Sequence, residues 1–331
     1  MKRSRKTSFI GWPVVLTVIL ISLFLISACK PAVQEKEVGM TDLSIQANLV
    51  FFYYKDLDSA VEFYERTLGL EEVLDYGFAK IFRISETSYI GLVDETGGMH
   101  TTAEPKTATL SFITDEVETW FEYLSGQGVE IHRPLSESSR IPIKGFVAKD
   151  PEGYLLEFET FRPHPQNEKI LESLTGVNNL YRIPATTDSP SQDKGIRGNI
   201  LWLYYKDLAE AQRFYEDIMG LELLVDQGFA KVYSSSKSGF IGLVDAAQGL
   251  HGFTETKSVN VAFTTRDVEL WYEHLLDRGL EMRDALDYAE GDRIKAFVTY
   301  DPAGYFLEFH WIMEHSDNRK LLEILNQYPN R

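Results

Sequence analysis

The chain has one cysteine, Cys29, so no disulfide framework is available and stability has to come from packed cores. Bases are also scarce. Against 50 Asp and Glu stand only 33 Lys and Arg, a formal net charge of −17 that argues against nucleic acid or an anionic membrane surface as the main partner. Solubility is the simplest use of that acidity. Nor is there a GxSxG elbow, a P-loop or an HExxH helix, so nothing supports nucleophilic hydrolysis or nucleotide use. What is plentiful is apolar material: 44% hydrophobic and 13% aromatic residues over 331 positions can fill the cores of two domains.

At the start of the chain, Lys2, Arg3, Arg5 and Lys6 precede an apolar run from Phe9 to Ser27, the layout of a secretory signal. The run ends Ile26-Ser27-Ala28-Cys29. This resembles the bacterial lipobox, in which the cysteine is lipidated and becomes the first residue of the mature protein. The alternative is a plain transmembrane anchor, since the run is nearly long enough to span a bilayer. Either reading puts the globular part outside the cytoplasm, in the cell envelope and anchored to a membrane. Removal of the four bases takes the formal charge to −21. Residues 30–45 then read as a polar tether.

The dominant internal signal is a duplication. Asp150–Phe158, DPEGYLLEF, returns as Asp301–Phe309, DPAGYFLEF, and the same offset carries roughly 49 identities over the 111 positions from Asn48 to Phe158. Asp-Pro-x-Gly is turn chemistry, so the flanking runs read as the two strands of a hairpin. In the outgoing strand, alternation puts Glu157 and Glu308 on the face opposite their apolar neighbours.

Within each repeat the pattern reads strand, helix, three strands, then the same again. In the first, Asn48 onward is a strand ending at Lys55-Asp56, Ser59–Leu68 is a helix stopped by Gly69, and short strands fall at 71–75, 79–84 and 89–94. After a loop at 95–106 come a strand at 107–114 and a helix at 117–127, with Val117, Trp120, Phe121 and Leu124 inward. Strands near Val129, at 144–149 and at 154–161 complete the repeat. A further helix at 167–174 is echoed at 318–325, and the polar, proline-bearing stretch 176–195 reads as a linker. The expected organisation is a signal at 1–29, a tether at 30–45, a first domain at 46–175, the linker, and a second domain at 196–328.

Strand, K-D-L, a helix bearing F-Y-x-x-x-x-G-L, three strands, and a closing D-P-x-G-Y-x-x-E-F resemble the vicinal oxygen chelate superfamily, which includes glyoxalase I, extradiol dioxygenases, and the fosfomycin- and bleomycin-resistance proteins. The resemblance covers residues 46–160 and 197–311. It implies an α+β fold of tandem domains, each of two βαβββ modules forming a cupped mixed sheet. For the metalloenzyme members it further implies a His or Gln early in the first strand, a His early in the fifth and the Glu of the closing strand. Here those places fall on Leu49 and Ile200, on Thr109 and Asn260, and on Glu157 and Glu308. Leucine and isoleucine bind no metal, and threonine and asparagine are poor ligands for transition ions. One carboxylate per cup is too few for a tight divalent site.

Other residues recur with the repeat. Tyr53 and Tyr204 are in phase with the lost first ligand and should face the cup, where a phenol offers a stacking face and a hydrogen bond. Asn48 and Asn199 face away unless a bulge shifts the register. Glu157 and Glu308 could pair with Lys144 and Lys295, or with Lys80 and Lys231, though solvation is the commoner fate of such lysines. His100 and His251 suit acid-base work, or else are exposed or capping. One asymmetry stands out: Glu159 of the first repeat becomes His310 in the second, so Glu308, His310 and Asn260 could rebuild a weak metal site.

The expectation is an internal pseudo-dimer whose cups bind a small organic molecule without cofactor, Tyr53, Thr109 and Glu157 lining the first cup and Tyr204, Asn260 and Glu308 the second. No catalytic residue is assigned. Two alternatives stay open. One is a metal-dependent lyase, isomerase or dioxygenase using Glu308 and His310; the other is a structural protein whose cups are filled by their own aromatic side chains.

Overall fold

The computed structural model describes residues 43–181 and 195–328, which belong to a single body. The signal segment, the lipobox Cys29, the tether up to residue 42 and the centre of the linker lie outside the described residues. Among those described, no helix is long and apolar enough to cross a membrane.

Four βαβββ modules are present, as the sequence pattern requires. The first is β1 (Ala47–Tyr54), α1 (Leu57–Glu62), β2 (Glu71–Asp75), β3 (Ala79–Arg83) and β4 (Ser88–Asp94). The second holds β5 (Ala108–Thr114), α2 (Val117–Gly126), β6 (Ile131–Glu137), β7 (Ile143–Lys149) and β8 (Leu155–Phe161), and is followed by α3 (Glu168–Ser173). The third comprises β9 (Ile196–Tyr205), α4 (Leu208–Arg213), β10 (Glu222–Asp226), β11 (Ala230–Ser234) and β12 (Gly239–Asp245). The fourth runs β13 (Val259–Thr264), α5 (Val268–Asp277), β14 (Met282–Ala289), β15 (Ile294–Tyr300) and β16 (Phe306–Ile312), with α6 (Arg319–Leu325) after it. The K-D-L motif starts a helix in each repeat: Asp56 accepts from Ser59 N at 3.0 Å and Asp207 from Glu210 N at 2.9 Å. Each of these helices ends in a π-helical turn, at Phe63–Thr67 and Phe214–Ile218. The α-helix expected at 59–68 is therefore α-helical only in its first half.

The modules do not pair within their own repeat. One eight-stranded sheet has the order β14-β15-β16-β13-β1-β4-β3-β2 and joins the first module to the fourth; the other, β10-β11-β12-β9-β5-β8-β7-β6, joins the third to the second. At the centre of each, two strands run antiparallel across the repeats, β1 on β13 and β5 on β9. Each sheet is thus half one repeat and half the other. The linker is tied at its ends, because Leu180 and Ile196 exchange backbone hydrogen bonds of 3.0 and 2.8 Å.

Alternate residues of the strands separate two environments. Val50, Phe52 and Tyr54 of β1 share a large core with Leu110, Phe112 and Phe158 of the other sheet and with Trp120 and Trp271 from α2 and α5. The opposite parity, Leu49, Phe51 and Tyr53, looks into a concave face. Where the two sheets meet, the turns after β3 and β11 interlock through buried hydroxyls, Ser85 with Ser238 at 2.7 Å and Thr87 with Ser236 at 2.9 Å.

The recurring DPxGY motif is a clamp between the sheets. Asp150 Oδ1 accepts from the N–H groups of Glu152 and Tyr154 at 3.0 and 2.8 Å, which folds the turn, while Oδ2 accepts from the hydroxyls of Tyr54 and Tyr64 at 2.6 and 3.2 Å. Tyr154 Oη then accepts from N of Tyr53, in β1 of the other sheet, at 3.0 Å and donates to O of Ser258, just ahead of β13, at 3.1 Å. Asp301, Tyr205, Tyr215 and Tyr305 repeat the arrangement.

Candidate functional site

Each sheet leaves one cup, and cross-pairing redistributes the expected residues. Tyr53 shares a cup with Asn260 and Glu308, lining a cavity of about 320 Å³ in the β1–β13 sheet. Tyr204 lies with Glu157 in the other, of about 440 Å³, where its hydroxyl contacts Thr109 Oγ1 at 2.9 Å. The expected grouping by repeat is therefore corrected: each tyrosine faces the glutamate of the other repeat. The cause is the antiparallel β1–β13 and β5–β9 pairing, which sets Phe51 opposite Asn260 and Trp202 opposite Thr109, so that each tyrosine two residues on lies beside the strand of the other repeat. Neither cup is filled by its own aromatic side chains, the mark expected of a purely structural protein.

The two floors differ. In the cup of the β1–β13 sheet, Asn260 Nδ2 donates to Glu308 Oε2 at 2.6 Å, and His310 Nδ1 lies 3.0 Å from Glu308 Oε1 with its Nε2 2.8 Å from Thr264 Oγ1. Both carboxylate oxygens and both ring nitrogens are thus engaged within the protein. Asn260 Oδ1 is buried with no hydrogen-bond partner among the described residues. In the cup of the β5–β9 sheet, the His310 position is Glu159, buried and accepting from Ser111 Oγ. Glu157 accepts no hydrogen bond among the described residues. Burial pushes both carboxyls up, Glu159 further because the charge of Glu157 stands beside it, while the Arg133 guanidinium pulls Glu157 partly back.

The lysines expected as partners go elsewhere. Lys144 and Lys295 pair with Glu118 and Glu269 on the outer helices, Lys80 with Asp75 at 2.5 Å, and Lys231 with Asp226 at 2.6 Å. Helix and hairpin carboxylates are simply nearer. Asn48 and Asn199 point away from the cups with regular β1–β4 and β9–β12 register around them, so no bulge turns them inward. The loop histidines are neither exposed nor capping. His100 is buried against the rings of Tyr53 and Phe306, its Nδ1 3.0 Å from Glu104 Oε2, and His251 packs edge-on to Tyr204. Burial lowers both imidazoles, His251 to about 4 with help from His132, so these rings brace the tyrosines as neutral groups. Burial likewise drives the phenols of Tyr53 and Tyr204 far up, leaving them hydrogen-bonding groups only.

A metal ion of the kind the superfamily uses does not fit these donors. Leu49 is packed among Ala47, Tyr89, Ala262 and the α6 leucines, and Ile200 among Ile113, Ile170 and Phe240, so the first ligand place is apolar core in both cups. Among the described residues no three His, Cys, Asp or Glu side chains are grouped to hold a metal. In the Glu308–His310–Asn260 set that could have rebuilt a site, both carboxylate oxygens and both ring nitrogens are already engaged, which leaves only Asn260 Oδ1.

The alternation in the strands missed Arg133 and Trp202 in one cup, with Ser111 behind Glu159, and Phe51 and Met99 in the other. Trp202 lies over Gly242 so closely that a Cβ there would come 2.1 Å from the indole; Gly91 and Phe51 repeat the contact at 2.2 Å. Gly242→Ala is therefore expected to push the indole into the cup, costing about 1–3 kcal/mol of stability and shrinking the cavity. Urea unfolding together with Trp202 fluorescence would check it, an unshifted spectrum with unchanged stability being the contrary result.

Solved structures of similar fold include glyoxalase I from Zea mays, 18% identical with a TM-score of 0.55 over 85% of this chain and 95% of that one. A putative dioxygenase from Bacillus subtilis is 16% identical, TM-score 0.55, over 81% and 85%. Such identities show the fold alone. No curated protein matches the chain. The family model of the Glyoxalase/Bleomycin resistance protein/Dioxygenase superfamily matches twice, over residues 46–158 and 199–309, and these are the paired modules that build both cups. This chain belongs to that superfamily.

Proposed function

We propose that this protein is a membrane-anchored, extracytoplasmic binding protein for small organic molecules, and that its cups work without a metal. The observation that carries the reading is that both cups keep a cavity, about 320 and 440 Å³, while the place where the superfamily's first metal ligand would stand, Leu49 or Ile200, is apolar and packed. Aromatic walls with a few convergent polar groups are what a small-molecule pocket requires. Anchoring rests on Lys2 to Lys6, the apolar run and Cys29.

The test is a thermal-shift screen of a broad metabolite and drug collection, with chelator and then with Zn²⁺, Mn²⁺, Fe²⁺ or Ni²⁺ added. A saturable ligand that stabilises the protein in chelator is the expected result. Stoichiometric metal that is lost on mutating Glu308 or His310 would overturn metal independence, and no saturable ligand at all would overturn the binding reading. The anchor has its own check: fatty-acid labelling of the full chain should vanish in Cys29→Ser.

A further inference from the structure

The two cups have diverged most where their rims face their floors. In the β5–β9 sheet, Arg133 of β6 pairs with Val147 of β7, and Val147 with Glu157 of β8, so Arg133 and Glu157 share a face with one strand between them. Their backbones are then roughly 9.5 Å apart. The same row in the other sheet is Asp284, Val298 and Glu308. An arginine facing a glutamate in one cup is an aspartate facing a glutamate in the other.

Arg133 forms no ion pair among the described residues, although its charge is felt at Glu157. Nearby, the Arg140 guanidinium lies 3.9 Å from the Phe229 ring centre and donates to Gln248 Oε1 at 2.7 Å, again with no carboxylate partner among the described residues. All of these side chains line one cavity, whose wall includes Trp202, with its indole N–H turned toward Glu159. Opposite charges held on facing strands without touching leave room for a bridging ligand whose charges are reversed in order.

We infer that the cup of the β5–β9 sheet binds a zwitterion of the amino-acid type, its ammonium on Glu157, its carboxylate on Arg133 and Arg140, and its apolar body against Trp202. The inference rests on the small-molecule reading above and deepens it. A planar guanidinium suits a carboxylate through two parallel hydrogen bonds, and the free carboxylate of Glu157 supplies the acceptor an ammonium needs. Ser111 Oγ and the Trp202 indole already face Glu159, which leaves Glu157 as the available floor charge. In the other cup the row is Asp284–Glu308, and the neighbouring guanidinium of Arg283 is already paired with Asp284, so the two cups take different ligands.

The test uses the full chain in detergent at pH 8, titrated by calorimetry with L-phenylalanine, 2-phenylethylamine and 3-phenylpropionate. Phenylalanine should bind at least about tenfold more tightly than either single-charge analogue and should change Trp202 fluorescence, a change absent in Trp202→Phe. Arg133→Asp, which copies the other cup's row onto an exposed position, should lower phenylalanine affinity by about tenfold or more and remove its advantage over phenylethylamine. Glu157→Gln should remove its advantage over phenylpropionate. Equal binding of all three probes overturns the inference, as does binding that survives both substitutions or no binding by any of them. The metabolite screen separates these results from failure of the parent reading, since a saturable ligand found there keeps that reading when the amino-acid probe fails.

Discussion

Asp150→Ala should cost about 3–4 kcal/mol at pH 7, among the largest losses available from a single side chain here. Among the described residues the carboxylate is the one acceptor shared by the buried hydroxyls of Tyr54 and Tyr64, and it also folds the turn by accepting from Glu152 N and Tyr154 N. Removing it leaves hydroxyls of two fully buried tyrosines dependent on one mutual contact of 3.2 Å. Each buried donor left without an acceptor costs about 1–3 kcal/mol. The turn would also loosen Tyr154, whose hydroxyl ties β1 of the opposite sheet and Ser258 just ahead of β13. Asp301→Ala should behave alike through Tyr205 and Tyr305. Urea unfolding of the two variants is the measurement, and a loss under about 1 kcal/mol in either would show that this motif does not hold the sheets together.

That clamp explains why DPxGY recurs in both repeats while contributing no group to either cavity. The turn itself was legible, because Asp-Pro-x-Gly chemistry is local. So were the four modules, whose helices and strands follow from period 3.6 and period 2 patterns in Trp120, Leu124 or Tyr53 and its neighbours. The π-helical turns at Phe63 and Phe214 were not, since they depend on tertiary packing of the following tyrosine. Pairing of modules was also out of reach, because four similar modules offer each central strand chemically similar partners. Yet a trace of the site was present: Arg133 and Asp284, 151 residues apart, invert in charge within an otherwise well-preserved repeat. Surface rims seldom need such an inversion, and it became informative once the sheet placed those residues opposite the two glutamates. The lysines show the reverse case. Their recurrence invited a link to Glu157 and Glu308, but it reflects repeated pairs with helix and hairpin carboxylates.

Stability should fall as pH rises from about 5 to 8, the opposite of ordinary acid behaviour. Asp150 and Asp301 are pushed from 3.8 up to about 6, chiefly by burial and in spite of the tyrosine hydroxyls and backbone N–H groups that favour the charged form. Between those two values the folded chain keeps protons that the unfolded chain has released, so stability decreases with rising pH until both aspartates are ionised in the fold near pH 7. Each aspartate then contributes roughly 1.4 kcal/mol to the difference between pH 5 and pH 8, or roughly 3 kcal/mol together. The raised carboxyls of Glu157 and Glu159 act in the same direction, and the buried imidazoles of His100 and His251, held below the usual histidine range, offset part of it. Below about pH 4 the trend reverses. Asp75, Asp226, Glu118 and Glu269 are held low, largely by bonds to Lys80, Lys231, Lys144 and Lys295, and their contribution disappears as they protonate. Thermal unfolding from pH 3.5 to 8 should therefore peak near pH 5. In Asp150→Asn combined with Asp301→Asn, the pH 5 to pH 8 difference should shrink by roughly 3 kcal/mol even though the variant is less stable throughout. An unchanged difference would mean that these aspartates ionise in the fold as easily as in water, and that the tyrosine clamp solvates their charge far better than its burial suggests.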